Sequence, residues 1–211
     1  MAKYQNAKCG MSKLFTSAIL EIIATILASV AISVGLNNSS NNDGVAISAG
    51  AVALAAAVVA VIAFIFNLIG LHRAGKDEQN FKGAFDTVIA SIIVAVIVGL
   101  LSLNQNIAGP VTSFAETISS VFELSIIILV CNGISSIFRA QGKEKLAKRG
   151  NTITVFAIIA FVVSIFFRGA TLATFAPDQV GNIILVSIGG ACEIVGYVMY
   201  IVYLYRAKKD F

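Results

Sequence analysis

VAISAGAVALAAAVVAVIAFIFNLIGL, Val45–Leu71, runs directly into HRAGK, His72–Lys76. The apolar stretch is 27 residues long and carries no ionisable side chain. As a helix rising ~1.5 Å per residue it is about 40 Å long, more than a hydrocarbon core of ~30 Å requires. A basic cluster at the point where the apolar run stops is the mark of a helix leaving a bilayer on its cytoplasmic side. Working outward, five more stretches read the same way: Leu14–Leu36, Gly83–Leu103, Thr112–Phe138, Thr152–Phe167 and Val180–Tyr205. The fifth of the six spans, Thr152–Phe167, is short and is expected to stand upright or thin the bilayer locally.

Composition agrees. Of 211 residues, 58% are apolar and 12% charged, with a mean hydropathy of +0.91. Soluble domains average about 45–50% apolar and about 25% charged residues, so this chain cannot dress a water-facing surface. A soluble globule and a disordered chain are excluded. The net charge of +4 is too thin for a nucleic-acid binder. The fold class expected is all-α, a polytopic membrane protein of six transmembrane helices forming one domain.

Charge predicts the orientation. Lys3, Lys8 and Lys13 precede the first span; Arg73, Lys76 and Lys82 separate the second from the third; Arg139, Lys143, Lys145, Lys148 and Arg149 separate the fourth from the fifth; Arg206, Lys208 and Lys209 follow the sixth. Only Arg168 falls on the other side. The positive-inside rule then puts both termini in the cytoplasm. With so few residues outside the spans, a bacterial plasma (inner) membrane is the expected location.

An internal repeat is also expected. Arg73-Ala74, Arg139-Ala140 and Arg206-Ala207 close the three even spans at near-equal spacing. The chain reads as three tandem helical hairpins, residues 1–76, 77–143 and 144–211, with a pseudo-three-fold axis along the membrane normal. Basic residues at membrane exits are common, so positive-inside selection alone also accounts for these pairs.

Ionisable groups inside spans are costly and are functional candidates by default. A carboxyl group escapes much of that cost by taking a proton. Glu21 lies eight residues above Lys13, roughly 12 Å into the inner leaflet. Glu193 lies thirteen residues before Arg206, roughly 20 Å from the basic edge and near the midplane. Glu123 is sixteen residues before Arg139, roughly 24 Å up. Asp86 and Glu116 are boundary residues. Ser17, Glu21, Thr25 and Ser29 recur every four residues as one polar stripe, although the hydroxyls can equally bond back to their own helix. Glu193, Tyr197 and Tyr200 share a face, a carboxylate with aromatics that suits a cation. Asn67 and Asn132 sit at matching depths on spans two and four and are expected to join Glu21 in a polar layer; the plainer alternative is a pair of interhelical hydrogen bonds. Tyr203 and Tyr205 read as interfacial belt residues.

Cys9, Cys131 and Cys192 form no CxxC, and there is no HExxH, GxSxG, Walker loop or GxGxxG, so neither a cofactor nor a metal is expected. An enzyme is disfavoured; its only weak candidates are Ser119 or Ser120 near Glu123. The reading is a transporter or channel for a small cationic or polar solute, or for protons, using Glu193, Glu21 and Glu123. The alternative is a non-transporting membrane module: a substrate-capture subunit of a larger transporter, or an assembly or immunity-type partner. In that case Arg73, Arg139, Lys143, Lys145, Lys148, Arg149 and Arg206 would contact a protein partner or anionic lipid. Ala- and Gly-rich faces permit a homo-oligomer.

Overall fold

A computed structural model describes residues 4–37, 43–102, 108–172 and 179–211, with side chains at 4–34, 50–102, 115, 117–163, 191 and 194–211. Among the described residues there are six helices: α1 (Gln5–Asn37), α2 (Asp43–Ala74), α3 (Gln79–Ser102), α4 (Ala108–Ala140), α5 (Glu144–Leu172) and α6 (Gln179–Asp210). No strand occurs among the described residues. Among the described residues, five helices, α1 to α5, are long and apolar enough to cross a membrane. The side chains of the first part of α6 lie outside the described residues.

Each helix packs on the next in sequence, α6 returns to α1, and α4 also touches α6. Three of these neighbouring pairs each have their own packing device. In α1/α2 a Cβ on Gly10 would meet the Gly70 carbonyl at 2.6 Å, so the two backbones touch at glycine. In α3/α4 the far end of the Phe81 ring abuts Gly133, where a Cβ would come within 2.8 Å of its Cζ. In α5/α6 the Tyr203 hydroxyl occupies the space above Gly150, 2.3 Å from where a Cβ would stand.

The turns explain where the helices stop. Gly142 adopts φ +74°, the left-handed conformation glycine takes without penalty. Gly142 N–H donates to the Arg139 carbonyl and Lys143 N–H to the Phe138 carbonyl, the reciprocal pair that ends many helices at glycine. The Lys143 ammonium lies over the Phe138 ring, 5.8 Å from its centroid, and also donates to the Asp210 carbonyl at the end of α6. A cation there complements the negative end of the α6 dipole. Asp77, in the turn after α2, performs the opposite service for α1. Its carboxylate accepts from Ala7 N–H at 2.8 Å and from Asn6 Nδ2 at 2.9 Å.

One boundary differs from the sequence reading. The basic segment before Thr152 is not a loop: α5 begins at Glu144, so Lys145, Lys148 and Arg149 ride its first two turns. Glu144 in the first turn favours the helix start. The helix is 29 residues long and extends beyond the apolar stretch at both ends.

The core gathers at the basic end. Ala7, Met11, Leu71, Phe81, Ile134, Phe138, Leu204 and Ala207 are completely buried, and all lie within a few turns of the basic loops. Farther away, among the described residues, mostly small side chains are buried: Ala24, Ala31, Ala56 and Ala160. Leu54, Leu100 and Ile194 there are about two-thirds exposed (68%, 65% and 66%), an apolar surface that lipid would cover. Of the Ala-rich run in α2, Ala56 and Ala63 pack inward, whereas Ala51, Ala53, Ala55 and Ala57 face outward.

Candidate functional site

Where this core ends, three helices contribute to one polar cluster. Ser17 and Glu21 are one turn apart on α1, and Ser17 is buried. The Ser17 hydroxyl lies 2.8 Å from the Ala63 carbonyl on α2 and 3.1 Å from Glu21 Oε1. From α6, the Tyr197 hydroxyl donates to Glu21 Oε2 at 2.5 Å and lies 3.5 Å from the Ala18 carbonyl. Glu21 therefore ties α1 to α6, while Ser17 ties α1 to α2. Among the described residues, both groups engaging the carboxylate are neutral hydroxyls.

The surroundings are aromatic and amide in character. Tyr200, one turn toward the basic end, is buried with its ring centroid 6.2 Å from that of Tyr197. The glutamate at position 123 on α4 is exposed. Asn67 sits one turn below Ala63 on the same face of α2, and its Oδ1 is buried with no hydrogen-bond donor among the described residues. An acceptor left without a donor costs about 1–3 kcal/mol.

Several residues singled out from the sequence lie elsewhere. Asn132 is not part of an inner polar layer with Glu21. It is exposed on α4, whose inward face is instead Val130, Ile134, Ile137 and Ser135, and α4 does not touch α1 among the described residues. The upper part of the α1 stripe turns back on its own helix. The hydroxyls of Thr25 and Ser29 donate to the carbonyls four residues back and are exposed. The side chains of Glu193, Glu116 and Cys192 lie outside the described residues. Ser119 is exposed on α4. No group of three metal-ligating side chains occurs among the described residues.

Tyr203 is a correction and a finding. It is 1% exposed rather than an interfacial residue, and its hydroxyl bonds Ser135 Oγ at 3.1 Å and the Leu146 carbonyl at 3.3 Å. It thus joins α4, α5 and α6 much as Tyr197 joins α6 to α1. Tyr205 is exposed and pairs with Phe15 at 5.6 Å between centroids, as a belt residue would.

The basic residues mark the end of the bundle without converging on Glu21. Arg73 donates to Cys9 Sγ at 2.8 Å, and Lys13 and Lys208 lie over the rings of Phe66 and Phe15. Arg139, Lys145, Lys148, Arg149 and Arg206 are exposed. Comparison with protein-family models, with curated proteins and with solved structures finds no match.

Proposed function

We propose that the protein is a small membrane transporter or channel for a small cationic or polar solute, or for protons, with Glu21 and Tyr197 at its binding site. One observation carries this reading. A carboxylate within an apolar helix is held by the hydroxyls of Ser17 and Tyr197 rather than by a lysine or arginine, so its charge is left for a mobile cation to answer. Six spans in three tandem hairpins, with both termini in the cytoplasm of a bacterial cell, complete the picture. The tightly packed basic end would close the cytoplasmic mouth beneath the site. Glu193, one turn above Tyr197 on α6, would pass the solute on toward the midplane, and Glu123 would set the field there.

Flux into proteoliposomes tests this. Glu21→Gln, Tyr197→Phe and Glu193→Gln should each lower it at least several-fold. Flux unchanged in the Glu21→Gln, Glu193→Gln double variant refutes the reading.

The exposed cations Arg139, Lys145, Lys148 and Arg149 favour a second reading, a module that docks a protein partner through its basic end. Charge reversal across Lys143–Arg149 should then strip the partner from the protein extracted from its own membrane, and a partner retained after reversal excludes that docking surface.

A further inference from the structure

We propose that the first two turns of α5 seat the headgroup of an anionic phospholipid, with its acyl chain lying along the same face of the helix. This helix contributes nothing to the Glu21 cluster, so the site stands apart from whatever binds there.

α5 has two faces. Ala147, Gly150, Ile153 and Ala160 are buried against the bundle. On the opposite side Lys145, Lys148, Arg149 and Thr152 are exposed, and so are Val155 and Ile159 (56% and 54%). Lys148, Thr152, Val155 and Ile159 follow one another at spacings of four, three and four, which stack on one side of a helix. The three cations stand at the foot of that row. Ile159 is eleven residues beyond Lys148, roughly 16 Å along the helix axis. That is about half of a hydrocarbon core of ~30 Å. The face is therefore positive at one end and apolar over the depth of one leaflet.

An occupant has to match both halves. A soluble anion answers the cations and has nothing to lay on Val155 and Ile159. An anionic phospholipid has a phosphate for the cations and a chain for the row above them. Each lysine or arginine near a membrane surface strengthens attraction to anionic headgroups roughly five-fold.

The other cations at this end of the bundle are differently placed. Lys13, Lys143 and Lys208 lie over aromatic rings, and Arg73 donates to Cys9 Sγ. Lys82 on α3 is exposed, but Asp86 stands exposed one turn above it on the same face and offsets its charge. On α5 the three cations are set against one carboxylate, Glu144, which leaves a surplus of positive charge where the apolar row begins.

The chain contains no tryptophan, so a single one is an unambiguous reporter. Ile159→Trp places it at the far end of the row. Ile93→Trp is the control on α3, eleven residues beyond Lys82 and 56% exposed. Each full-length variant is reconstituted in vesicles of phosphatidylcholine mixed with phosphatidylglycerol, with one of the two lipids carrying brominated chains that quench tryptophan on contact. At Ile159→Trp, phosphatidylglycerol should be preferred over phosphatidylcholine by about five-fold or more. Adding Lys145→Gln, Lys148→Gln and Arg149→Gln together should abolish the preference, and Ile93→Trp should show none. If Ile159→Trp does not insert, Val155→Trp reads the same row one turn lower. Equal quenching by the two lipids with the cations intact overturns the proposal and leaves those cations for a protein partner. An equal preference at Ile93→Trp overturns it as well, because the lipid would then be answering the charge of the whole basic end.

Discussion

Replacing Gly10 with alanine probes the contact on which the α1/α2 pair is built. The new Cβ would stand 2.6 Å from the Gly70 carbonyl oxygen, 2.8 Å from Ala74 Cβ and 2.9 Å from Ala74 N, whereas ordinary contact begins at 3.4 Å. A Cβ cannot rotate away and two of the three neighbours are backbone atoms, so the helices must part by about 0.8 Å, the difference between 3.4 and 2.6 Å. Overpacking of this kind costs ~1–3 kcal/mol, and a contact of backbone on backbone belongs at the upper end. Exchanging glycine for alanine within a helix returns about 1 kcal/mol, leaving a net loss of about 2 kcal/mol. The displacement also reaches the candidate site. Carried two turns up the same face to Ser17, it stretches the bond to the Ala63 carbonyl from 2.8 Å to about 3.6 Å, beyond hydrogen-bond range. The control is Gly83→Ala, whose Cβ would find only Leu129 methyls at 3.7 and 3.8 Å, so it should gain up to about 1 kcal/mol. Reversible unfolding in mixed micelles reads both. A Gly10→Ala protein as stable as the Gly83→Ala protein would refute the glycine crossing and the helix spacing inferred from it.

Other outcomes follow from the same contacts. Gly150→Ala would put a Cβ 2.0 Å from Ser135 Oγ and 2.3 Å from the Tyr203 hydroxyl, so that bond should break and stability fall by about 1–3 kcal/mol, whereas Gly99→Ala, with nothing within 4 Å, should not destabilise; thermal unfolding in detergent compares them. A double-mutant cycle on Glu21→Gln and Tyr197→Phe should give a coupling of about 0.6–1.7 kcal/mol, the range met by interhelical hydrogen bonds in membranes, and a coupling near zero would deny the pair. Asp77→Ala removes the acceptor of Ala7 N–H and should cost about 0.5–2 kcal/mol. Hydrogen exchange should show the loss in the first turn of α1 and leave α5 unchanged.

Helix content and apolar spans were legible because a bilayer writes them as composition: long runs without charge, ended by lysine and arginine. The direction in which a side chain faces was not. In a helix apolar almost all round, hydropathy has no azimuth, so Asn132 and Asn67 looked equivalent although one is exposed and the other has a buried carbonyl oxygen. Glu21 was identifiable by its cost within an apolar run. Its partner was not, because Tyr197 is 176 residues away, and spacing along α6 instead paired that tyrosine with Glu193. Tyr203 was misplaced for a related reason. Tyrosine near a span end usually lies in the headgroup region, and only the hole above Gly150 shows that this one turns inward. The start of α5 was missed because its first two turns carry the charges expected of a loop.

The charges in the turns have a topological consequence. Asp77 holds the first turn of α1, Lys143 holds the Asp210 carbonyl at the end of α6, and these two helices touch. The order of neighbours is therefore closed, and the peptide bond is only one of the fastenings around the circle. A circular permutant that joins the end of α6 to the start of α1 by a short polar linker, and opens the chain at the exposed Gly142, would leave every helix beside the neighbours it has now. The helix that begins such a chain would be α5, the one that ends it α4, and α1 and α6 would be consecutive.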